Sequence, residues 1–171
     1  MKGLEKRLVY LFTGEFFAAV TFTFIYVFYS VNPNDSFSLL YVFVVLNFIL
    51  LQGSFYWFIK WLRLKRKEMV FANFYKFLYV LKKLNLILIM VGPVIFLVDV
   101  FLWERVSYFG SVLTLFIYVF AIIEYVNYYH IQLTNYKKGR GKPSSIAKEL
   151  YNINFHRNGI HHLNKYNGGK R

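Results

Sequence analysis

Three carboxylates stand where a carboxylate is costly. Glu15 lies inside VYLFTGEFFAAVTFTFIYVFYSV (residues 9–31), Asp99 inside LNLILIMVGPVIFLVDVFLW (84–103) and Glu124 inside SYFGSVLTLFIYVFAIIEYVNYY (107–129), three runs otherwise almost free of charge. On insertion scales a charged side chain at mid-helix costs roughly 2.5 to 3.5 kcal/mol, so such groups face a bundle interior or water and carry protons, hold cations or make hydrogen bonds. Glu15 is six residues inside the first run, and Glu124 is six residues before His130. At about 1.5 Å per residue both sit roughly 9 Å deep, on one level. If their helices are neighbours, two anions in low dielectric cannot both stay charged, and one is protonated or a cation lies between them. The competing reading gives each Glu a hydrogen bond to Thr13, Asn127, Tyr128 or Gln52, or lets it reach the surface on its own stem. Asp99, four residues from Trp103, belongs near the opposite surface, satisfied by snorkelling or by Arg105. Asn47, near the centre of the run 37–59, is placed to bridge helices, and Gly92 with Pro93 marks a kink and a hinge candidate.

The elements that position these groups follow from hydropathy. The chain has 171 residues, of which 57% are hydrophobic and 22% aromatic, with a mean hydropathy of +0.39, too apolar for an ordinary water-soluble domain. A spanning helix needs about 20 mostly apolar residues, and four runs qualify: 9–31, 37–59, 84–103 and 107–129. Asn32, Pro33, Asn34, Asp35 and Ser36 form a tight turn between the first two, and Glu104, Arg105 and Val106 an equally short link between the last two. The expected fold is therefore all-α, a polytopic membrane protein with four transmembrane helices arranged as two helical hairpins. The domain division places a four-helix transmembrane unit in residues 1–135 and a basic tail in 136–171.

Charge sets the direction. Twenty of the 21 Lys and Arg residues fall in the N-terminus, in residues 60–83 or after His130, and only Arg105 lies in a loop on the other side. The positive-inside rule then puts both termini in the cytoplasm, and the net charge of +13 reads as a topology signal, not as nucleic-acid binding. The first run is too long for a secretory signal and lacks a small-x-small cleavage site, so it is expected to stay uncleaved. Trp and Tyr residues near the ends, among them Tyr56, Trp57, Trp61, Trp103, Tyr128 and Tyr129, fit aromatic girdles at headgroup depth. Residues 62–83 mix apolar and basic positions, as in a helix lying in the interface against anionic lipid headgroups or extending the third span.

Absences narrow the chemistry. With no cysteine, disulfides, thiolate catalysis and Cys-based metal sites are excluded together. HRNGIHH groups His156, His161 and His162 without a helical pair or an intervening carboxylate, so no metal is expected, and no cofactor. The stretch 138–142 (KGRGK) reads as a flexible linker, Pro143, Ser144 and Ser145 as a helix start, and the remaining tail as a basic segment with little to bury.

The segments LEKRLVYLFTGEFF, LNFILLQGSFYWFIKW, LKKLNLILIMVGPVIFLVDV and FAIIEYVNYYHIQL together resemble small four-span bacterial membrane proteins labelled "general stress protein", a likeness covering residues 4–135. The resemblance implies an inner (plasma) membrane location and supplies no mechanism. The functional expectation is a non-enzymatic membrane protein acting through a membrane-protein partner or a second copy of itself. The alternative is a small cation- or proton-coupled transporter or channel using Glu15 and Glu124; a glutamate in the first of four helices is also how small multidrug exporters bind protons and cations. No catalytic constellation stands in or beside a span.

Overall fold

The structure, a computed structural model, describes residues 2–28, 37–66, 74–102, 108–137, 140–148 and 151. Four helices carry the fold: α1 (Lys2–Phe28), α2 (Phe37–Arg66), α3 (Phe74–Leu102) and α4 (Tyr108–Tyr129). Each is long and apolar enough to cross a membrane, and the chain is an all-α, multi-pass membrane protein. A short antiparallel pair follows, β1 (Ile131–Lys137) and β2 (Arg140–Pro143), with Ile131 opposite Pro143. The expected turns at 32–36 and 104–106, Trp103, Arg105 and the histidines at 156, 161 and 162 lie outside the described residues.

The helices overrun the apolar runs at one end. α1 begins at Lys2, α2 continues to Arg66 and α3 starts at Phe74, so the described part of 62–83 belongs to extensions of α2 and α3. The start of α1 lies beside the end of α2, where Lys65 and Glu5 approach to 3.6 Å, and the Arg63 guanidinium stacks 4.9 Å above the Phe74 ring at the start of α3. α1, α2 and α3 thus present their basic ends together.

α2 is the axis of the bundle. Leu39, Val42, Leu46, Ile49, Leu50 and Ile59 are buried along nearly its whole length, while α1, α3 and α4 each pack on it and leave their other sides exposed. Phe16, Phe17 and Phe24 of α1, Met90 and Leu97 of α3 and Phe116 of α4 form that apolar outer surface, as lipid requires. α1 and α4 meet through side chains, with the Phe22 and Phe120 rings 5.7 Å apart.

Lipid offers no hydrogen bonds, so the helices exchange them. Asn85 Nδ2 donates to Gln52 Oε1 at 2.6 Å, Gln52 Nε2 donates to Asn85 Oδ1 at 3.1 Å, and the Tyr129 hydroxyl donates to Gln52 Oε1 at 3.0 Å, tying α2, α3 and α4. The Ser54 hydroxyl donates to the Phe12 carbonyl at 2.9 Å and Thr23 to Asn47 Oδ1 at 3.4 Å, joining α1 to α2. Asp99 departs from one of its two sequence readings, while the other, pairing with Arg105, lies outside the described residues. It neither snorkels nor faces solvent: it is 3% exposed, and its Oδ2 accepts the Ser38 backbone N–H at 2.5 Å. Ser38 is the second residue of α2, so a carboxylate from α3 satisfies an otherwise orphaned amide at the positive end of the α2 dipole.

The kink is clamped. Pro93 lacks an N–H and withholds a hydrogen bond from the Ile89 carbonyl four residues earlier. The Tyr118 hydroxyl of α4 donates to that carbonyl at 3.1 Å, and the Tyr41 hydroxyl of α2 donates to the adjacent Leu88 carbonyl at 2.8 Å. Gly92 makes room, since a Cβ there would stand 2.9 Å from the Tyr118 ring. Two neighbours thus hold the hinge candidate fixed. Tyr118→Phe is expected to cost about 1 to 3 kcal/mol, the range for a buried acceptor left unsatisfied. Pro93→Ala should recover most of that loss by restoring a backbone donor. A double-mutant cycle on unfolding in detergent checks this, and strictly additive costs would separate Tyr118 from the proline's carbonyl.

Candidate functional site

The contact between Phe22 and Phe120 sets the register of α1 against α4. Counting equally from it toward the basic end reaches Glu15 on α1 and Asn127 on α4, with Glu124 about one turn further in. Glu15 and Glu124 are both half-buried and stand within electrostatic reach of each other, although about one turn apart in depth instead of on the single level that the sequence spacing implies. Asn127 Nδ2 donates to Glu124 Oε2 at 3.5 Å.

Between them stands Tyr128. The residue is 5% exposed, and its hydroxyl approaches the Glu15 carboxyl without closing a hydrogen bond of ordinary geometry, so the buried O–H has no protein partner. Gly53 is what lets the ring lie there: a Cβ at position 53 would fall 2.2 Å from Tyr128 Cζ. The gap in the surface of α2 therefore allows an α4 side chain to reach across to α1.

A cavity of about 90 Å³ opens beside this group, lined by Glu15 and Leu11 of α1, Tyr56 and Trp57 of α2, Asn127 and Tyr128 of α4, and residues 144–146. Glu124 stands behind the wall and acts on the cavity through its charge and through Asn127. The volume admits about three waters at roughly 30 Å³ each, or one small cation with part of its hydration. Trp57, expected in an aromatic girdle, forms part of this wall. Lys60 Nζ sits 5.3 Å from the Tyr56 ring centroid and 5.6 Å from that of Trp57, and donates to the Tyr56 hydroxyl at 3.1 Å. These rings already accept a cation on their faces.

The other candidates lie elsewhere. Asn47 is engaged with Thr23 and donates to the Phe43 carbonyl at 3.0 Å, Asp99 caps α2, and Gly92 with Pro93 belongs to the tyrosine clamp. Among the described residues, no group of three or more His, Cys, Asp or Glu side chains gathers as a metal would need. Sequence reasoning missed Gly53, Asn85 and Ile146, and read Ser144 as part of a helix start without its contact to Tyr128. Of the three missed, only Gly53 carried a signal, as a glycine beside Gln52 within an apolar helix.

Gly53→Ala weighs two effects against each other. Alanine is better than glycine in a helix by about 1 kcal/mol, while overpacking a filled site costs about 1 to 3 kcal/mol. At a spacing of 2.2 Å the clash dominates. The expected result is a lower midpoint of thermal unfolding, with recovery when Tyr128→Leu empties the space; Gly53→Ala that stabilises the protein alone would show that Tyr128 does not occupy this gap. No protein-family model, curated protein or solved structure matches the chain, so what the site does is read from its own residues.

Proposed function

We propose that the protein binds a proton or a monovalent cation at Glu15 and couples that binding to passage across the membrane. The observation that carries this reading is the meeting of Glu15 and the unpartnered Tyr128 hydroxyl at one small cavity within a membrane-spanning bundle, with Glu124 within electrostatic reach behind its wall. Three features support it. A carboxyl in low dielectric beside a second carboxyl favours a neutral or cation-bound state over a bare anion. The Tyr128 hydroxyl can donate to a Glu15 carboxylate after its proton leaves, or accept from the carboxylic acid while the proton is held, serving both states with one rotation. The cavity has room for the water or the partly hydrated ion that each state needs.

Glu15 is the ligand, because it lines the cavity. Glu124 tunes it from one turn away, and Asn127 holds Glu124 in place. The distribution of Lys and Arg favours the inner (plasma) membrane with both termini cytoplasmic, as does the resemblance to four-span bacterial proteins. Anionic lipid headgroups suit the basic ends of the helices, where Lys60, Lys65 and Lys83 lie over aromatic rings. Association with a membrane-protein partner or a second copy is the sequence's first expectation, and the tail assigned to it lies largely outside the described residues.

The test is flux in proteoliposomes under an imposed pH or cation gradient. Wild-type protein should dissipate the gradient, Glu15→Gln should reduce the rate at least tenfold, and Glu124→Gln should reduce it less while shifting its pH dependence. A protein with both substitutions that still carries wild-type flux would remove these carboxyls from the function.

A further inference from the structure

The helices that wall the cavity are unequal in length toward the basic end. α1 runs roughly 20 Å beyond Glu15 to reach Lys2, whereas α4 runs roughly 8 Å beyond Glu124 before it stops at Tyr129. Past that point α4 no longer lies beside the α1 and α2 pair. The chain fills the space another way. It leaves α4, reverses through β1 and β2, and returns residues 144–146 to the wall of the cavity.

The return is anchored on the last turn of α4. The His130 amide donates to the Val126 carbonyl at 2.9 Å, and the Ser144 amide donates to the His130 carbonyl at 3.1 Å. The Ser144 hydroxyl, itself buried, donates to the Tyr128 carbonyl and accepts the Ala147 amide at 3.0 Å, capping the helical turn that begins at Ser145. Ile146, 3% exposed, enters the same apolar cluster as Tyr56 and Tyr128. Against α1 and α2 the segment offers Ile146 and the cavity contacts; its hydrogen bonds run to α4 and within itself. Among the described residues the segment's apolar hold on the α1 and α2 side is thus Ile146, beside a cavity that is already partly open, an attachment of the size that opens by local unfolding while the bundle stays folded.

We propose that residues 144–146 gate the Glu15 cavity. Seated, Ile146 closes the route from the basic end to Glu15; unseated, it admits water and ions along the groove between α1 and α2. The gate rests on the cation-binding reading, and it gives that reading an access step: Ser144 is bonded to the backbone of Tyr128, whose hydroxyl faces Glu15, so loosening the segment also loosens the residue nearest the ligand.

The chain has no cysteine, so a single introduced thiol reports on access without background. Leu11→Cys places that thiol on the cavity wall. In the full-length protein in proteoliposomes, a membrane-impermeant methanethiosulfonate should label position 11 slowly. Adding Ile146→Ala should raise the labelling rate at least tenfold, and adding Ser144→Ala, which leaves the apolar seat intact, should raise it about threefold. Ser144→Ala decides the matter if Ile146→Ala lowers the unfolding midpoint of the whole bundle. Fast labelling before either change, or an unchanged rate after both, overturns the gate. Flux through a protein whose labelling does not move leaves the cation site standing and removes the gate alone, whereas labelling that responds in a protein carrying no flux leaves a plug with nothing to control and overturns both.

Discussion

Every polar group inside this bundle has to find its partner within the protein, because the hydrocarbon around it offers none. That constraint explains more of the structure than apolar packing does. Lipid tails are as apolar as Leu or Phe, so burial alone gives the helices little reason to choose one another. What selects the neighbours is exchange of hydrogen bonds: Asp99 for the Ser38 amide, Tyr118 for the Ile89 carbonyl, Gln52 for Asn85 and Tyr129, Ser54 for the Phe12 carbonyl. Together they join α2 to each of the other three helices and α3 to α4, and most involve α2. The central place of α2 is the geometric expression of its share in these exchanges.

Against that background the Glu15 region stands apart. Elsewhere most polar side chains are matched to an acceptor or donor, although the buried Tyr26 hydroxyl and Trp61 indole N–H also lack one; here two carboxyls share one neighbourhood with a buried tyrosine hydroxyl that has no protein partner. Asp99, which holds two helices together, is satisfied by the protein. A buried group left unsatisfied costs free energy, and at Tyr128 a component from outside the protein can complete it. The cavity at the same place supplies room for that missing component.

The helices were legible in the sequence, and the depth of Glu15 and Glu124 to within about a turn, for a simple reason: helix rise is constant, so spacing along the chain converts directly into depth. The neighbours were not legible. Asp99 is bonded to a backbone amide 61 residues away, and a backbone donor leaves no trace in side-chain type. The rank of α2 was hidden as well, since a helix surrounded by lipid and a helix surrounded by other helices can both be apolar on every side. Gly53 shows the same limit at one residue: the sequence reveals a missing side chain, but not that Tyr128 would pass through the gap. The stretch 138–142 read as a linker because glycine and lysine disfavour strands, yet Arg140–Pro143 pairs with β1. Local preference yielded to a partner already held at the end of α4.

The two ends of the bundle differ in what fixes them, and this difference bears on mechanism. Away from the basic end, the Asp99 cap and the tyrosine clamp over Pro93 bind α2, α3 and α4 through backbone groups, which cannot be released without exposing an unsatisfied amide or carbonyl to lipid. At the basic end the last turn of α4 is met by a returning segment whose contact with α1 and α2 is apolar, close to headgroups and water that can receive any polar group set free. Opening there costs far less than opening in the interior of the bilayer. Alternation of a site between closed and open states therefore belongs at the basic end of this fold, and the clamped half supplies the fixed wall against which it would move.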